Sequence, residues 1–143
     1  MKVYFALPVI AGRTGALSFL DLLESLEEKG HHVLTGHLFH LNALPAERQV
    51  PRCQVFARDI GWLEESDVLI AEVTAPSTGV GYEVAHAISL GKQALCLAEA
   101  GVSVSAMIEG NPTLTLVRYR DSDEAIEAVA DWLERWVAAG PAG

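Results

Sequence analysis

The residues best suited to chemistry lie in and around a glycine-rich segment at positions 75–81. Ser77 and Thr78 place hydroxyls beside Gly79 and Gly81, and backbone amides that open a helix can bind an anion. This segment is therefore a candidate phosphate cradle. The alternative is an ordinary strand-to-helix turn in which Ser77 caps the helix, and a Gly-x-Gly pattern by itself favours that alternative.

Three acidic residues near this segment are candidates for nucleophilic or acid–base chemistry. Glu83 falls in the first turn of the predicted helix, where a carboxylate either complements the helix dipole or acts as an ionised nucleophile. Asp59 lies on an earlier predicted helix and, taken alone, is typical of a solvated carboxylate. Glu72 interrupts a buried strand and needs a hydrogen-bond partner or a wet cavity, so a site role and a structural role both fit.

Missing motifs and the charge balance exclude several classes of function. The chain contains no Gly-x-Gly-x-x-Gly, no Gly-Lys-Ser/Thr and no Gly-x-Ser-x-Gly, which argues against dinucleotide oxidoreductases, ATPases and serine hydrolases. Ten Lys and Arg against nineteen Asp and Glu give a formal charge of −9, which disfavours nucleic-acid and membrane-surface partners. No segment has the length of a signal or membrane-spanning sequence, so a cytoplasmic location is expected.

The histidines and cysteines give no metal-ligand pattern. His37 and His40 lie at a strand end without matching cysteines or carboxylates. His86, three residues after Glu83, shares its helical face and is placed to pair with it. The two cysteines are too few for a disulfide framework, and no CxxC is present. No metal is expected.

Apolar runs alternate with helical periodicity along the chain. Five strands are predicted, at Val3–Leu7, Val33–Leu38, Val68–Val73, Gln93–Leu97 and Thr113–Tyr119. Helices are predicted between them, from Phe19 to a stop at Lys29-Gly30, at Val55–Ser66, Tyr82–Leu90 and Ser105–Glu109, and after a capping box at Asp121 and Glu124. Two prolines, Pro45 and Pro51, predict a loop or flap from Asn42 to Cys53.

This alternation predicts a three-layer α/β fold, Rossmann-like in the flavodoxin-like sense, with a five-stranded parallel sheet in one domain over residues 1–143. Ligands of such sheets bind beyond the carboxyl ends of the strands. The site is therefore expected among Leu7–Arg13, the segment after the second strand, Thr74–Glu83 and Leu97–Ser105.

A longer motif connects these candidates to a known family. The segment from Asp59 to Glu83, with its Pro76-Ser77 and Gly79-Val80-Gly81-Tyr82-Glu83 motifs, resembles the signature of the 2'-deoxynucleoside 5'-phosphate N-hydrolases of the nucleoside 2-deoxyribosyltransferase superfamily. Tyr4-Phe5 and the run Ser105-Ala106-Met107-Ile108 resemble the family's opening and late motifs. The resemblance covers most of the chain and implies hydrolysis of the N-glycosidic bond of (2'-deoxy)nucleoside 5'-monophosphates without a cofactor.

The resemblance also implies catalytic roles. Glu83 corresponds to the nucleophile that attacks the anomeric carbon and expels the base. Asp59 corresponds to the second catalytic carboxylate, linked with protonation of the leaving base, and Tyr4 to the tyrosine that orients the nucleophile. An oxocarbenium-like transition state needs such a pair, and a retaining arrangement places the two carboxyls about 5–5.5 Å apart. Glu83 is then expected to stay ionised at its helix N-terminus, and Asp59 to need a raised pKa.

Binding roles follow from the same resemblance. Ser77, with Gly79 and Gly81, corresponds to the 5'-phosphate cradle. Ser105 corresponds to a serine donated by the neighbouring subunit of a homodimer, and His37 to a histidine near the base pocket.

The first loop departs from the family pattern. Pro8 and Ile10 stand where the family carries a small polar residue and an arginine that bind phosphate, and Arg13 is the nearest substitute. Two alternatives therefore stay open beside the hydrolase: a deoxyribosyltransferase that exchanges bases on unphosphorylated deoxynucleosides, and a non-catalytic nucleotide-binding module.

Overall fold

A computed structural model describes residues 1–8, 18–40 and 43–140, without the side chain of Leu44. Its centre is one five-stranded sheet of β1 (Lys2–Ala6), β2 (His32–Val33), β3 (Val68–Glu72), β4 (Gln93–Glu99) and β5 (Thr115–Tyr119). The strands are all parallel and lie in the order β2-β1-β3-β4-β5. The predicted α/β fold with a five-stranded parallel sheet is confirmed.

Within the described residues, six α-helices and one 3-10 helix accompany the strands, and the last α-helix follows β5. The α-helices are α1 (Phe19–Glu28), α2 (Ala43–Glu47), α3 (Arg52–Glu65), α4 (Thr78–Ser89), α5 (Ala106–Glu109) and α6 (Ser122–Ala139), and the 3-10 helix covers Gly36–Phe39. None of these helices, in the part of the chain that the structure describes, is long and apolar enough to cross a membrane.

Alternation along the buried strands divides the core into two layers. Val3 and Phe5 of β1 face α1 and α6, where an aliphatic and aromatic cluster includes Leu22 and Leu133. Tyr4 points to the opposite layer, which α3 and α4 cover. The period of two therefore places the Tyr4 side chain on the same face of the sheet as the helices that carry Asp59 and Glu83.

The second strand is shorter than predicted. It ends at Val33; the next two predicted strand residues form a turn, and those from Gly36 to Leu38 lie in the 3-10 helix. The reason is Thr35, whose hydroxyl accepts a hydrogen bond from Phe5 N at 3.1 Å and donates one to Phe5 O at 2.9 Å. A side chain thus satisfies the backbone groups of β1 that a longer β2 would have paired.

Two helix boundaries also differ from prediction. The predicted loop from Asn42 to Cys53 contains α2, and α3 begins at Arg52 with Pro51 at its N-cap. The helix predicted from Tyr82 begins at Thr78, because the Ser77 hydroxyl accepts a hydrogen bond from Val80 N at 3.3 Å and caps it there. Gly79 and Gly81 therefore lie in the first turn of α4 rather than in a turn before it. The predicted cap of α6 is confirmed, since Asp121 accepts from Glu124 N at 3.0 Å.

Candidate active site

The best-defined contact at the expected site joins β1 to α4. The Tyr4 hydroxyl donates a hydrogen bond to Glu83 Oε1 at 2.7 Å, and Tyr4 is only 2% exposed. Burial, followed by the nearby Glu83 charge, raises the pKa of Tyr4, so it remains a neutral hydrogen-bond donor. This contact fixes one oxygen of Glu83, Oε1, against β1.

Glu83 has an unusual acidity for a glutamate. Burial raises its pKa to about 7, the negative charge of Asp59 raises it as well, and the Tyr4 hydrogen bond opposes both. With a pKa of about 7, Glu83 is ionised in only part of the molecules at neutral pH, and that fraction increases as the pH rises. Because α4 begins at Thr78, Glu83 is its sixth residue and lies beyond the first turn, where the dipole acts most strongly.

Asp59 is the second carboxylate of the site. It lies half-buried on α3, and its charge acts on both Glu83 and Tyr4. Burial raises the pKa of Asp59, while the adjacent Arg58 guanidinium lowers it through a hydrogen bond and its charge. The direction of the shift is the one that a proton donor needs.

Two residues at this site were not singled out from the sequence. Arg58 contacts Asp59 directly, and Glu47 of α2 binds the Arg58 guanidinium. The only sequence signal was an arginine next to Asp59, and neighbouring residues on a helix do not normally face each other. Glu47 gave no signal, because α2 itself was not predicted.

The candidate phosphate cradle lies at the N-terminus of α4. Ser77 is the N-cap, and its backbone carbonyl also accepts a hydrogen bond from Gly81 N at 3.0 Å. Gly79 is exposed, and a Cβ added to it would meet only the Ser77 hydroxyl, at 3.9 Å; one added to Gly81 would meet open space. The ordinary capping role of Ser77 is therefore present, and the first amides of the helix, at Thr78 and Gly79, have no intrahelical acceptor by helix geometry.

The remaining predicted binding residues are less tightly placed. Pro8 is buried just after β1, while Ile10 and Arg13 lie outside the described residues. His37 is exposed in the 3-10 helix, with Nε2 at 3.3 Å from Glu47 Oε1 and its ring edge-on to Trp62. Ser105 is exposed and caps the short helix α5 through a 3.3 Å hydrogen bond from Met107 N.

Glu72 has a structural environment. Its carboxylate accepts hydrogen bonds from the Tyr119 hydroxyl at 3.0 Å and from the hydroxyl and amide of Thr74. Its position in β3 is that of Val68 and Ile70, on the α1 and α6 face of the sheet, and burial raises its pKa. Of the two roles that the sequence left open for Glu72, these contacts favour the structural one.

The pairing of His86 with Glu83 is not seen. His86 instead stacks on Tyr82, with ring centroids 6.2 Å apart, and its buried Nε2 has no partner within the described part of the chain. Nor do the described residues include a group of three or more His, Cys, Asp or Glu side chains arranged to hold a metal.

Tyr4→Phe is expected to lower kcat by about 10- to 150-fold, because a hydrogen bond to a charged group is worth about 1.5–3 kcal/mol. Since that hydrogen bond lowers the pKa of Glu83, its loss moves the titration of Glu83 to higher pH. Carbon-13 NMR of the carboxyl group and steady-state kinetics measure the two effects.

The matched control is Tyr119→Phe, which removes a buried tyrosine hydroxyl from a different glutamate, Glu72. It is expected to leave kcat unchanged. Equal losses of kcat in the two variants would indicate a general loss of packing and contradict the assigned role of Tyr4.

Comparison with known proteins identifies the class of protein to which this fold belongs. The chain belongs to the nucleoside 2-deoxyribosyltransferase family, whose family model matches residues 3–115. The predicted resemblance is therefore confirmed.

Several individual proteins of known name are similar to this chain. A Thermofilum pendens protein with the provisional name 2'-deoxynucleoside 5'-phosphate N-hydrolase 1 is 46% identical over 137 residues, which cover 93% of this chain and 95% of that protein. The 5-hydroxymethyl-dUMP N-hydrolase of Esox lucius is 36% identical over 139 residues, covering 92% and 94%. Among solved structures, a Clostridium botulinum CMP N-glycosidase shares the fold with a TM-score of 0.70 at 22% identity, covering 92% of this chain and 99% of that one.

Proposed function

We propose that this protein hydrolyses the N-glycosidic bond of (2'-deoxy)nucleoside 5'-monophosphates to free base and a sugar 5-phosphate. The observation that carries the proposal is the Tyr4 hydrogen bond to a half-buried Glu83 whose charge interacts with that of Asp59. The names of relatives that align over more than nine-tenths of the chain support the same reaction.

The chemistry divides into two displacements at the anomeric carbon. Ionised Glu83 attacks that carbon with its free oxygen, the carbon–nitrogen bond breaks, and Asp59 gives its proton to the departing base. Water then attacks the same carbon, deprotonated by Asp59, which releases the sugar 5-phosphate and regenerates the Glu83 carboxylate. Tyr4 holds the other Glu83 oxygen throughout, so the attacking oxygen keeps one orientation.

The substrate phosphate binds, in this proposal, at the N-terminus of α4. The amides of Thr78 and Gly79 and the proton of the Ser77 hydroxyl provide donors there, and a helix N-terminus favours an anion. This arrangement needs no positive side chain, which fits a chain of formal charge −9 with Pro8 in its first loop. Arg13 and His37 stay predictions as further contacts to phosphate and base.

A comparison of phosphorylated and unphosphorylated substrates tests the phosphate proposal. The deoxynucleoside monophosphate is expected to exceed the deoxynucleoside in kcat/KM. Equal values for the two substrates would mean that the α4 N-terminus does not bind phosphate in this protein.

A second base distinguishes the hydrolase from the transferase. Both enzymes form the same glycosyl-enzyme intermediate and differ in whether water or a base resolves it. With a deoxynucleoside monophosphate and an excess of a different base, chromatography is expected to find free base and sugar phosphate and no new nucleotide. A new nucleotide or nucleoside would favour the transferase, and no base release at all would favour the non-catalytic module.

We further propose that the protein acts as a homodimer. An exposed aromatic patch of Phe56, Tyr82 and His86 lies across α3 and α4, with Phe56 57% and Tyr82 54% exposed. Exposed aromatic clusters of this kind are typical of protein interfaces.

Ser105 is expected to complete the site of the partner subunit. Ser105→Ala and Glu83→Gln are each expected to be inactive as homodimers. Mixing and reassociating the two is expected to restore about one quarter of wild-type activity, because half of the dimers are mixed and each has one complete site. No recovery, with sedimentation showing mixed dimers, would contradict a role for Ser105 across the interface.

A further inference from the structure

The side chain of Arg58 connects Asp59 to α2. Its Nη1 and Nη2 donate to the two oxygens of Glu47 at 2.8 and 2.9 Å, and its Nε donates to Asp59 Oδ1 at 2.8 Å. The guanidinium also lies over the Trp62 ring, with Cζ 4.8 Å from the ring centroid. One side chain thus joins two carboxylates and an aromatic ring from α2 and α3.

This geometry is not the usual one for adjacent helical residues. Side chains at positions i and i+1 point in different directions around a helix, so Arg58 and Asp59 do not face each other by default. The guanidinium must fold back along α3 to meet Asp59, and such a pose loses side-chain entropy. The bidentate Glu47 pair and the Trp62 ring provide the interactions that hold it there.

The contacts of Arg58 also separate it from a phosphate ligand. Its Nε and both terminal nitrogens already donate to carboxylates, and the two negative charges offset its own. Nη2 also lies 2.8 Å from Asp59 Oδ1, so a substrate phosphate would meet few remaining N–H groups and would compete with two carboxylates for the guanidinium. The contacts of Arg58 are therefore those of a residue that acts on Asp59.

We propose that Arg58 is a positioning residue which, held by Glu47 and Trp62, fixes Asp59 Oδ1 so that Oδ2 carries the proton to the leaving base. The inference rests on the proposed function, because it assumes that Asp59 is the acid. It extends that function by giving α2 a role: Glu47 orients the arginine that orients the acid. A guanidinium suits this task better than an ammonium, since its planar fork binds in a fixed geometry.

The charges of Arg58 and Glu47 have opposite effects on the pKa of Asp59, which can be measured. Burial raises the pKa of Asp59, the positive charge of Arg58 lowers it, and the negative charge of Glu47 raises it. Asp59 interacts electrostatically with one group on its own helix and with groups on four other elements. These groups are Arg58, Glu47, His37, Glu83 and Tyr4. Neutralising Arg58 and neutralising Glu47 must therefore shift the pKa of Asp59 in opposite directions.

The experiment compares Arg58→Gln, Arg58→Lys and Glu47→Gln in the full chain. Carbon-13 NMR follows the Asp59 carboxyl, with Asp59→Asn used to assign its signal, and kinetics give kcat and KM for base release. Arg58→Gln is expected to raise the pKa of Asp59 and to lower kcat about 10- to 100-fold with a smaller change in KM. Glu47→Gln is expected to lower that pKa.

Arg58→Lys separates charge from geometry. The ammonium restores a positive charge and is expected to bring the Asp59 titration back toward that of the wild type, while kcat stays low because the fork is lost. Arg118→Gln is the control. It removes an arginine whose Nη2 donates a hydrogen bond to Glu109 Oε1 at 2.9 Å and which does not contact Asp59. It is expected to leave both kcat and the Asp59 titration unchanged.

Two results would overturn the inference: unchanged kcat and titration in Arg58→Gln, or shifts of the same sign in Arg58→Gln and Glu47→Gln, which indicate general loosening. Circular dichroism identifies a variant that fails to fold. If Arg58→Gln does not fold, Glu47→Gln and Arg58→Lys test the inference in its place. Failure of the proposed function would give a different result. The wild type would release no base, while the pKa of Asp59 would still shift in opposite directions in Arg58→Gln and Glu47→Gln.

Discussion

Glu83→Gln is expected to reduce base release by at least about 10⁴-fold and, at the same time, to make the folded protein more stable at alkaline pH. The loss of activity follows because an amide oxygen does not replace a carboxylate as the nucleophile, and removing a nucleophile costs rates of this order. The gain in stability follows from the pKa of about 7 that burial gives to Glu83.

The sign of the stability effect follows from proton binding. A glutamate with a raised pKa in the folded state binds more protons there than in the unfolded chain, so stability is lost as pH rises from the ordinary pKa through the raised one. Between the ordinary value of 4.5 and about 7, the difference corresponds to about 3 kcal/mol. Urea unfolding at about pH 5 and about pH 8.5 is expected to show Glu83→Gln gaining on the wild type by up to that amount.

Two other glutamates provide controls for this variant. Glu72→Gln changes a glutamate that is buried on the opposite face of the sheet, and it is expected to retain full activity. Glu124→Gln is expected to show little change relative to the wild type between about pH 5 and 8.5, because Arg120 lowers the pKa of Glu124 and its contribution to stability is lost only at lower pH. An active Glu83→Gln enzyme would contradict the assigned nucleophile, and a pH-independent stability difference would contradict the buried charge.

Asp59→Asn is expected to lower kcat by about 10²- to 10⁴-fold, the range that general acid–base catalysis contributes. The defect is expected to depend on the leaving group. A 4-nitrophenyl 2-deoxyriboside 5-phosphate loses a stable phenolate that needs little protonation, so the first displacement in the variant should approach the wild-type rate. Burst-phase kinetics measure that displacement separately from the hydrolysis of the intermediate.

Asp67→Asn is the matched control for Asp59→Asn, because Asp67 accepts a hydrogen bond from Lys2 N at 2.7 Å near the amino ends of β1 and β3. It is expected to leave base release unchanged. If Asp59→Asn slows the nitrophenyl substrate and the nucleotide equally, Asp59 orients the sugar and does not protonate the base.

The sequence was sufficient for the sheet and for the position of the main catalytic candidates. The alternation Val3-Tyr4-Phe5 in a buried strand fixes which face Tyr4 occupies, and the Asp59 to Glu83 motif spans the helix, strand and helix that meet that face. Strand periodicity and a continuous motif are local properties, and the parallel sheet follows from their alternation.

Properties that depend on packing could not be predicted in the same way. The pKa of Glu83 depends on how deeply Tyr4 and α4 enclose it, and a cap one turn earlier, at Ser77, removed the expected influence of the helix dipole. The early end of β2 depends on the Thr35 hydroxyl reaching Phe5 from another segment. The Arg58–Glu47 pair likewise joins residues eleven positions apart, with no pattern between them.

A few of the acidic residues of the chain interact with one another at the candidate site. Most of the nineteen acidic residues need no catalytic explanation, but Glu47, Asp59 and Glu83 form one connected electrostatic unit with Arg58 at its centre. The negative charges of this unit repel a substrate phosphate, whereas the amides at the N-terminus of α4 attract one.

The most direct test of the central claim is the release of free base from a 2'-deoxynucleoside 5'-monophosphate by the purified wild-type protein with no acceptor base present. Chromatography is expected to find base and 2-deoxyribose 5-phosphate in equal amounts, increasing with time and absent with Glu83→Gln. A nucleotide that remains intact in the presence of the wild-type protein, or base release that persists in Glu83→Gln, would contradict the account.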